Sequence, residues 1–238
     1  MALAERAQQG EFQHLRDVMK TRDKIILASL ELFNRSGERN VTTNHIAAHM
    51  GISPGNLYYH FRNKSEIVYE IFRGYRQQVE VTLQLNPEVP FTVQEKLRLL
   101  ETVFDGLWEF RFFHRDLEFL LDADERLRRD YREFTHGCLS KMEQILLALQ
   151  HAGIFLPHED SERQAMALNT WLIVTNWMSF LKTAHAGEGE EAITRQQLRQ
   201  GIYQVLTLEL PYVSSAYHDE IERLRKSYRF EVSLQSAC

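Results

Sequence analysis

Residues 53–66 read SPGNLYYHFRNKSE, and several side chains in this stretch are of the kinds that grip a polyanion. Wound as a helix at about 100° per residue, Leu57 and Phe61 fall together on one face. Gly55 and Tyr59 fall nearly opposite, with Asn56 and Tyr58 beside them and His60 following. The outward face therefore offers bare backbone, an amide and phenol hydroxyls, where a solvated helix carries long charged chains. A glycine there costs about 1 kcal/mol of helix stability, and contact with water returns nothing for it. It makes sense where a second rigid surface must come close. Asn, Tyr and His side chains reach base edges and phosphate oxygens. The chemistry indicated is recognition of a nucleic acid. A tyrosine pair alone is equally compatible with core packing; it is the surrounding pattern that points outward.

That surface needs elements to hold it. Ser53 caps the helix and Pro54 takes its first position, where a missing N–H does no harm. Upstream, VTTNHIAAHMGIS (41–53) predicts a short helix capped by Thr43, with Ile46, Ala47 and Met50 turned inward. Gly51 permits a sharp turn with positive φ, and Ile52 plugs the gap beyond it. Helix, glycine turn and helix have helix-turn-helix proportions. Thr42 and Thr43 lie at the N-terminus of the first of these helices, where unpaired N–H groups and the helix dipole favour anions. His45 and His49 sit on its exposed side. Lys64 opens the following helix and adds a charge-assisted phosphate contact. A further helix, from a Thr21 cap to about Ser36, buries Ile25, Ala28, Leu32 and Phe33 and ends at Gly37.

Taken together these residues resemble the N-terminal domain of the TetR family of bacterial one-component regulators. That domain shows a helix ending in Leu-Phe-x-x-x-Gly, then Thr-Thr, Ile-Ala, Gly-Val/Ile-Ser, Gly-x-Leu-Tyr-x-His/Tyr-Phe and a lysine. Here the matching segments are LFNRSG (32–37), TT (42–43), IA (46–47), GIS (51–53), GNLYYHF (55–61) and Lys64, within about residues 21–70. The resemblance implies that Thr43 is a capping phosphate contact and that Ser53, Gly55, Asn56 and Tyr59 lie near base edges and backbone. It implies that Tyr58 and His60 clamp phosphates and that Lys64 contacts one beyond the motif. Where the family often carries a lysine next to the glycine, this chain has Pro54. One phosphate charge is thus missing, and a shallower salt dependence is expected.

The periodicity beyond residue 66 stays helical. A long helix runs from Asn63 or Ser65 to about Leu85, and NPEVP (86–90) marks a boundary. Helices are expected over about 93–113, 116–122, 124–151, 160–185, 194–210 and 214–228, with Gly153 and Pro211 as stops. The fold class is all-α, and the resemblance implies an N-terminal three-helix DNA-binding domain with the helix-turn-helix plus a larger antiparallel helical domain for ligand binding and dimerisation. The expected divisions are an arm at 1–20, a DNA-binding domain at 21–66 and the body at 67–238.

The body resembles the family more loosely, through EFRFFHRDLEFLL (109–121) and its two long later helices. The resemblance implies a homodimer through 160–185 and 194–210, with Ala165, Leu168, Leu172, Thr175, Ser179, Ile202, Val205 and Leu206 in the stripes involved. It also implies an apolar cavity for a small hydrophobic or aromatic ligand. Its expected lining is Trp108, Phe112, Phe134, Trp171 and Trp177, with Arg111, His114, His136 or Asn176 holding a polar group. The function implied is a ligand-responsive regulator. The expectation is a repressor that binds a pseudo-palindromic operator as a dimer and is released by its effector through helix 65–85. An activator or a corepressor-dependent regulator is the alternative.

Composition bounds these readings. The net charge of -5 is uneven: residues 21–66 hold six Lys/Arg against four acids, so the body is acidic. Cys138 and Cys238 make no disulfide framework, and the first twenty residues lack the apolar core of a signal peptide, so a cytoplasmic protein is expected. WLIVTNWMSFL (171–181) is too short and too polar to cross a bilayer, and no membrane partner is expected. A di-iron bundle enzyme is the remote alternative, through the Glu-x-x-His pairs EFQH (11–14) and EFTH (133–136). GEGEEA (187–192) lacks a preceding strand, and its glutamates would repel a pyrophosphate. No cofactor, metal or enzymatic activity is expected.

Overall fold

A computed structural model of the chain describes residues 19–86, 90–184 and 193–229. The EFQH and GEGEEA segments lie outside the described residues, as does nearly all of the 1–20 arm. Every regular element among the described residues is helical, and the one extended pairing is an isolated antiparallel bridge between Phe155 and Val213. The chain divides into two compact units, one ending at Gly74 and the other starting at Tyr75.

In the first unit, α1 (Thr21–Ser36) buries Ile25, Ser29, Leu32 and Phe33, a stripe at helical spacing. Its N-cap is Lys20, with Thr21 as the first helical residue. Gly37 leaves the helix at φ 80°, returning its N–H to Phe33 O at 3.0 Å. A 3₁₀ turn (Glu38–Asn40) then leads to α2 (Thr43–Met50), the Gly51 turn and α3 (Pro54–His60). Ile46, Ala47, Leu57 and Phe61 are buried, as are Ile25 and Phe33 of α1 and Ile67, Val68 and Ile71 of the next helix. That helix, α4 (Lys64–Thr82), is preceded by Asn63, whose Oδ1 accepts the Glu66 N–H at 2.9 Å. Arg22 holds the start of α1 to it, donating to Glu70 while its guanidinium lies 4.7 Å from the Phe61 ring.

The second unit takes the rest of α4 and seven more helices. These are α5 (Val93–Glu109), α6 (Arg111–Arg115), α7 (Leu117–Ala123), α8 (Glu125–His151), α9 (Asp160–Ala184), α10 (Arg195–Glu209) and α11 (His218–Ser227). The single helix expected over 93–113 is broken at Phe110. Phe110, Phe112 and Phe113 are all buried, and three near-consecutive rings cannot share one face of a continuing helix, so the chain turns between them. α9 packs chiefly on α8 and α10, and α10 on α5. Ile202, Val205 and Leu206 are buried within the protomer. Of the stripes read as wide enough for both core and partner, these three residues form core, because α10 turns its apolar stripe onto α5 and α9. Ala165, Leu168, Leu172 and Ser179 of α9 are exposed instead.

Candidate nucleic-acid interface and inner cavity

The motif is assembled by local hydrogen bonds. Thr42, not Thr43, is the N-cap of α2: its Oγ1 accepts the His45 N–H at 3.2 Å, and His45 Nδ1 accepts the Thr42 N–H at 3.3 Å. This is a reciprocal capping box with histidine in the role usually taken by Glu or Gln. Thr43 is released to work sideways, and its Oγ1 lies 3.0 Å from Tyr58 Oη, linking α2 to α3. Gly51 adopts φ 67°, ψ 27°, which lets Ile52 donate back to Ala47 O at 3.0 Å. Ser53 Oγ accepts the Asn56 N–H at 3.2 Å, with Pro54 at the first helical position.

The surface this produces is open. Leu57 and Phe61 are buried, whereas Tyr58 is 50% and Tyr59 85% exposed. A methyl group added at Gly55 would meet only Ser53 Oγ, at 3.9 Å. Ser53 and Asn56 are exposed beside it, and His60, half-buried, packs edge-on to Tyr59. Thr42 and Thr43 mark the N-terminus of α2. His45 and His49 are exposed, with His49 Nε2 3.9 Å from Glu31 Oε2.

Lys64 behaves differently. Its Nζ donates to Glu38 O at 2.9 Å and Val41 O at 3.0 Å, and it pairs with Glu38 Oε1 at 2.9 Å. An ammonium has three N–H donors, and all three are occupied inside the unit. The expected phosphate contact is thus corrected to a lock: Lys64 ties α4 to the turn that precedes α2.

In the second unit an inner cavity of about 80 Å³ lies between α4, α5, α8, α9 and the end of α10. Tyr75 and Val79 of α4, with Leu83 just beyond its end, are spaced four apart and form one wall. Of the five aromatic residues expected to line it, Trp171 does so. Phe112 and Phe134 are fully buried in a ring cluster with Tyr75, Phe113 and Tyr131, where Phe134 lies 6.1 Å from Trp171. Trp108 is half-buried beneath the Arg111 guanidinium at 4.4 Å. Trp177 donates to Gln197 O and stacks on Phe180. Among the polar candidates, Arg111 donates to Trp108 O and Asn176 to Leu172 O, while His136 is exposed. His114 is buried with Nε2 3.0 Å from Tyr75 Oη, and burial pushes its imidazole down to about 4.

Sequence reasoning missed the ion pair at the cavity. Lys96 Nζ donates to Glu209 Oε1 at 2.9 Å, and both residues are buried. The signal was present: Lys96 interrupts the buried stripe Val93, Leu100, Phe104, Leu107, and Glu209 ends the stripe Ile202, Val205, Leu206. A charge in each of two apolar stripes announces a pair. Elsewhere, Glu133 and His136 of EFTH are exposed, and no cluster of three or more His, Cys, Asp or Glu suited to a metal occurs among the described residues. No described helix is long and apolar enough to cross a membrane.

Comparison with known proteins agrees with this geometry. A family model for bacterial regulatory proteins of the tetR family matches residues 25–71, and a second, described as a bacterial transcriptional repressor, matches residues 74–221. The solved structure of a TetR-family transcriptional regulator from Marinobacter aquaeolei VT8 is 57% identical with a TM-score of 0.83, covering 89% of this chain and 100% of that one. SmeT, the repressor of the Stenotrophomonas maltophilia multidrug efflux pump SmeDEF, shares the fold at 21% identity and a TM-score of 0.58, covering 84% of this chain and 93% of that one. An HTH-type transcriptional regulator of Staphylococcus aureus (strain MRSA252) is 24% identical over 117 residues, 49% of this chain. The matched stretch spans 62% of that relative's length.

Proposed function

The chain belongs to the TetR family of bacterial transcriptional regulators, and on that premise we propose that it is a dimeric, ligand-released repressor. In this reading each protomer lays α3 in the major groove of a pseudo-palindromic operator. Gly55 lets the backbone approach, Asn56 and Tyr59 face base edges, and Ser53, Tyr58 and His60 face the sugar–phosphate backbone. Thr42 and Thr43 meet a phosphate at the N-terminus of α2. The observation that carries the reading is the exposure of Tyr58 and Tyr59 around an unobstructed Gly55 on a helix whose other face is core. A free-standing monomer has no use for that combination.

One two-turn helix with few cations holds DNA weakly, so a second copy is needed. The exposed face of α9 supports one, with Leu168, Leu172 and Phe180 each about half exposed. Effector release rests on α4. Its first half belongs to the DNA-binding unit, and Tyr75, Val79 and Leu83 form a wall of the inner cavity. A small hydrophobic molecule seated there acts on the helix that carries the motif, with a coupling of about 1–3 kcal/mol. SmeT, which shares this fold, has been solved in complex with triclosan. Footprinting on DNA upstream of the protein's own gene tests the proposal. A protected two-fold site that hydrophobic ligands release is expected, and absence of any protected site would overturn it.

A further inference from the structure

Two hydroxyls on the motif share one hydrogen bond, and the direction of that bond matters. Thr43 Oγ1 of α2 lies 3.0 Å from Tyr58 Oη of α3, at the surface of the unit. Each hydroxyl carries one proton and can accept as well as donate. If Tyr58 donates to Thr43, its oxygen has only lone pairs left to turn outward, and a phosphate oxygen beside it is repelled. If Thr43 donates, the Tyr58 proton is left for an outside acceptor. The local structure leaves Thr43 available for this task. α2 is already capped by Thr42, whose Oγ1 accepts the His45 N–H at 3.2 Å. Tyr58 in turn needs something to hold its ring. Its backbone is fixed by the Ser53 cap and by burial of Leu57 and Phe61, but the side chain is 50% exposed. The bond to Thr43 is the one hydrogen bond of its hydroxyl among the described residues.

We propose that Thr43 is a positioning residue for operator binding: its O–H donates to Tyr58 Oη, which pins the phenol and leaves the Tyr58 proton to be donated to a DNA phosphate oxygen. The chain then runs in one sense, from the Thr43 hydroxyl through the Tyr58 hydroxyl to the phosphate. Hydrogen bonds aligned in this way polarise one another, and the last of them, to an ionised acceptor, belongs to the strong class. The Thr43 side chain acts through Tyr58 and does not itself touch the phosphate. Its backbone N–H, the first of α2 and so outside the intrahelical ladder, remains as the direct donor at that helix end. The residue type fits the role. Serine would keep the donor, whereas valine would keep the shape and remove it.

The inference deepens the proposed function and rests on its reading of α3 as the DNA-facing helix. It is tested on the full chain by fluorescence anisotropy, with the DNA fragment protected upstream of the protein's own gene as the probe. Tyr58→Phe is expected to weaken binding by at least about ten-fold, since hydrogen bonds to charged groups are the stronger ones. Thr43→Val should weaken it about three- to ten-fold in the wild-type background but less than about two-fold in the Tyr58→Phe background. Thr43→Ser should stay within about two-fold of wild type. Thermal melts accompany each variant, and Thr43→Ala repeats the cycle if valine lowers the melting temperature. A second readout uses DNA in which single phosphates are replaced by neutral methylphosphonates. The phosphate that wild type misses most in each half-site should lose that excess sensitivity in both Tyr58→Phe and Thr43→Val. A merely structural Thr43 would weaken both backgrounds alike. Additive losses, a Thr43→Ser variant as weak as Thr43→Val, or desensitisation at different phosphates would overturn this inference and leave the regulator reading standing. A wild-type protein that protects no DNA would overturn both.

Discussion

The Lys64 ammonium lies 2.9 Å from Glu38 Oε1, a partner in the turn before α2 and 26 residues away in sequence. Glu38 is buried and Lys64 mostly so. Removing one member of such a pair strands the other, and Lys64→Met is expected to destabilise the DNA-binding unit by about 2–3 kcal/mol. Denaturant unfolding measures this. The same variant distinguishes a lock from a phosphate contact. If Lys64 neutralised a phosphate, the slope of log K against log salt would fall by about 0.9 for each protomer. With its donors turned inward, the slope should be unchanged while folded protein remains.

Gly55 and Tyr59 stand on the exposed face of α3, outside the core, with Tyr59 touching the neighbouring His60 ring. Gly55→Glu or Tyr59→Glu should therefore leave the melting temperature within about 2 °C of wild type, as surface changes usually do. Operator affinity should fall by at least about 30-fold, since a good base contact is worth about 1–3 kcal/mol and a dimer loses two. Electrophoretic mobility shift alongside thermal melts checks both. Retained DNA binding in either variant would remove the basis of the proposed interface.

The exposed stripe of α9 gives the assembly prediction. Leu172 is about half exposed and lies one helical turn from Leu168. Leu172→Glu places a charge at the centre of the proposed dimer face without entering the protomer core. Sedimentation velocity should show a shift from dimer to folded monomer, with the helical circular dichroism preserved. A wild-type protein that sediments as a monomer at micromolar concentration would contradict the proposal directly.

His114 makes stability depend on pH. Its folded-state value of about 4 lies below the ordinary 6.5 because burial disfavours the imidazolium. The folded protein holds the ring neutral, so below pH 6.5 the unfolded chain binds a proton that the folded chain does not. The contribution is complete above pH 6.5 and is lost as pH falls towards 4, at up to about 1.4 kcal/mol per pH unit. Between pH 7 and pH 5 wild type should lose about 2 kcal/mol more than His114→Gln. Urea unfolding at the two pH values measures that difference.

What the sequence revealed depended on the range of each signal. The Gly51 turn, the Ser53 cap and Pro54 at the first helical position are local, and their geometry follows from residue type. Even there, two adjacent threonines blurred the register, and the box was completed by His45, which composition does not advertise. The inward turn of Lys64 depends on a 3₁₀ segment it meets only after folding. Cavity lining was harder still. Phe112 and Trp171 look alike as apolar residues on helices, and only the way the helices pack decides which ring fills space and which borders it. The stripe of Ile202, Val205 and Leu206 was legible as buried, but periodicity does not say whether the cover is the same chain or another.

Gly201 supplies the last prediction. It sits in the middle of α10, where glycine costs about 1 kcal/mol relative to alanine, so helix propensity alone would make Gly201→Ala stabilising. Packing reverses the sign. A methyl group at this position would collide with the Phe104 ring and approach Trp177 Cδ1 to 3.0 Å. Phe104 is fully buried on α5 and has nowhere to swing, so α10 must withdraw from α5 or the ring must leave its rotamer. Overpacking of this kind costs about 1–3 kcal/mol or more, which exceeds the gain in propensity. Gly201→Ala should therefore lower stability by about 1–2 kcal/mol. The double variant Gly201→Ala with Phe104→Leu should cost less than the sum of the two single changes, because the shortened side chain makes room for the methyl group. A double-mutant cycle by chemical denaturation reads that coupling, and strict additivity would show that the close approach of α10 to α5 is not what keeps the position a glycine.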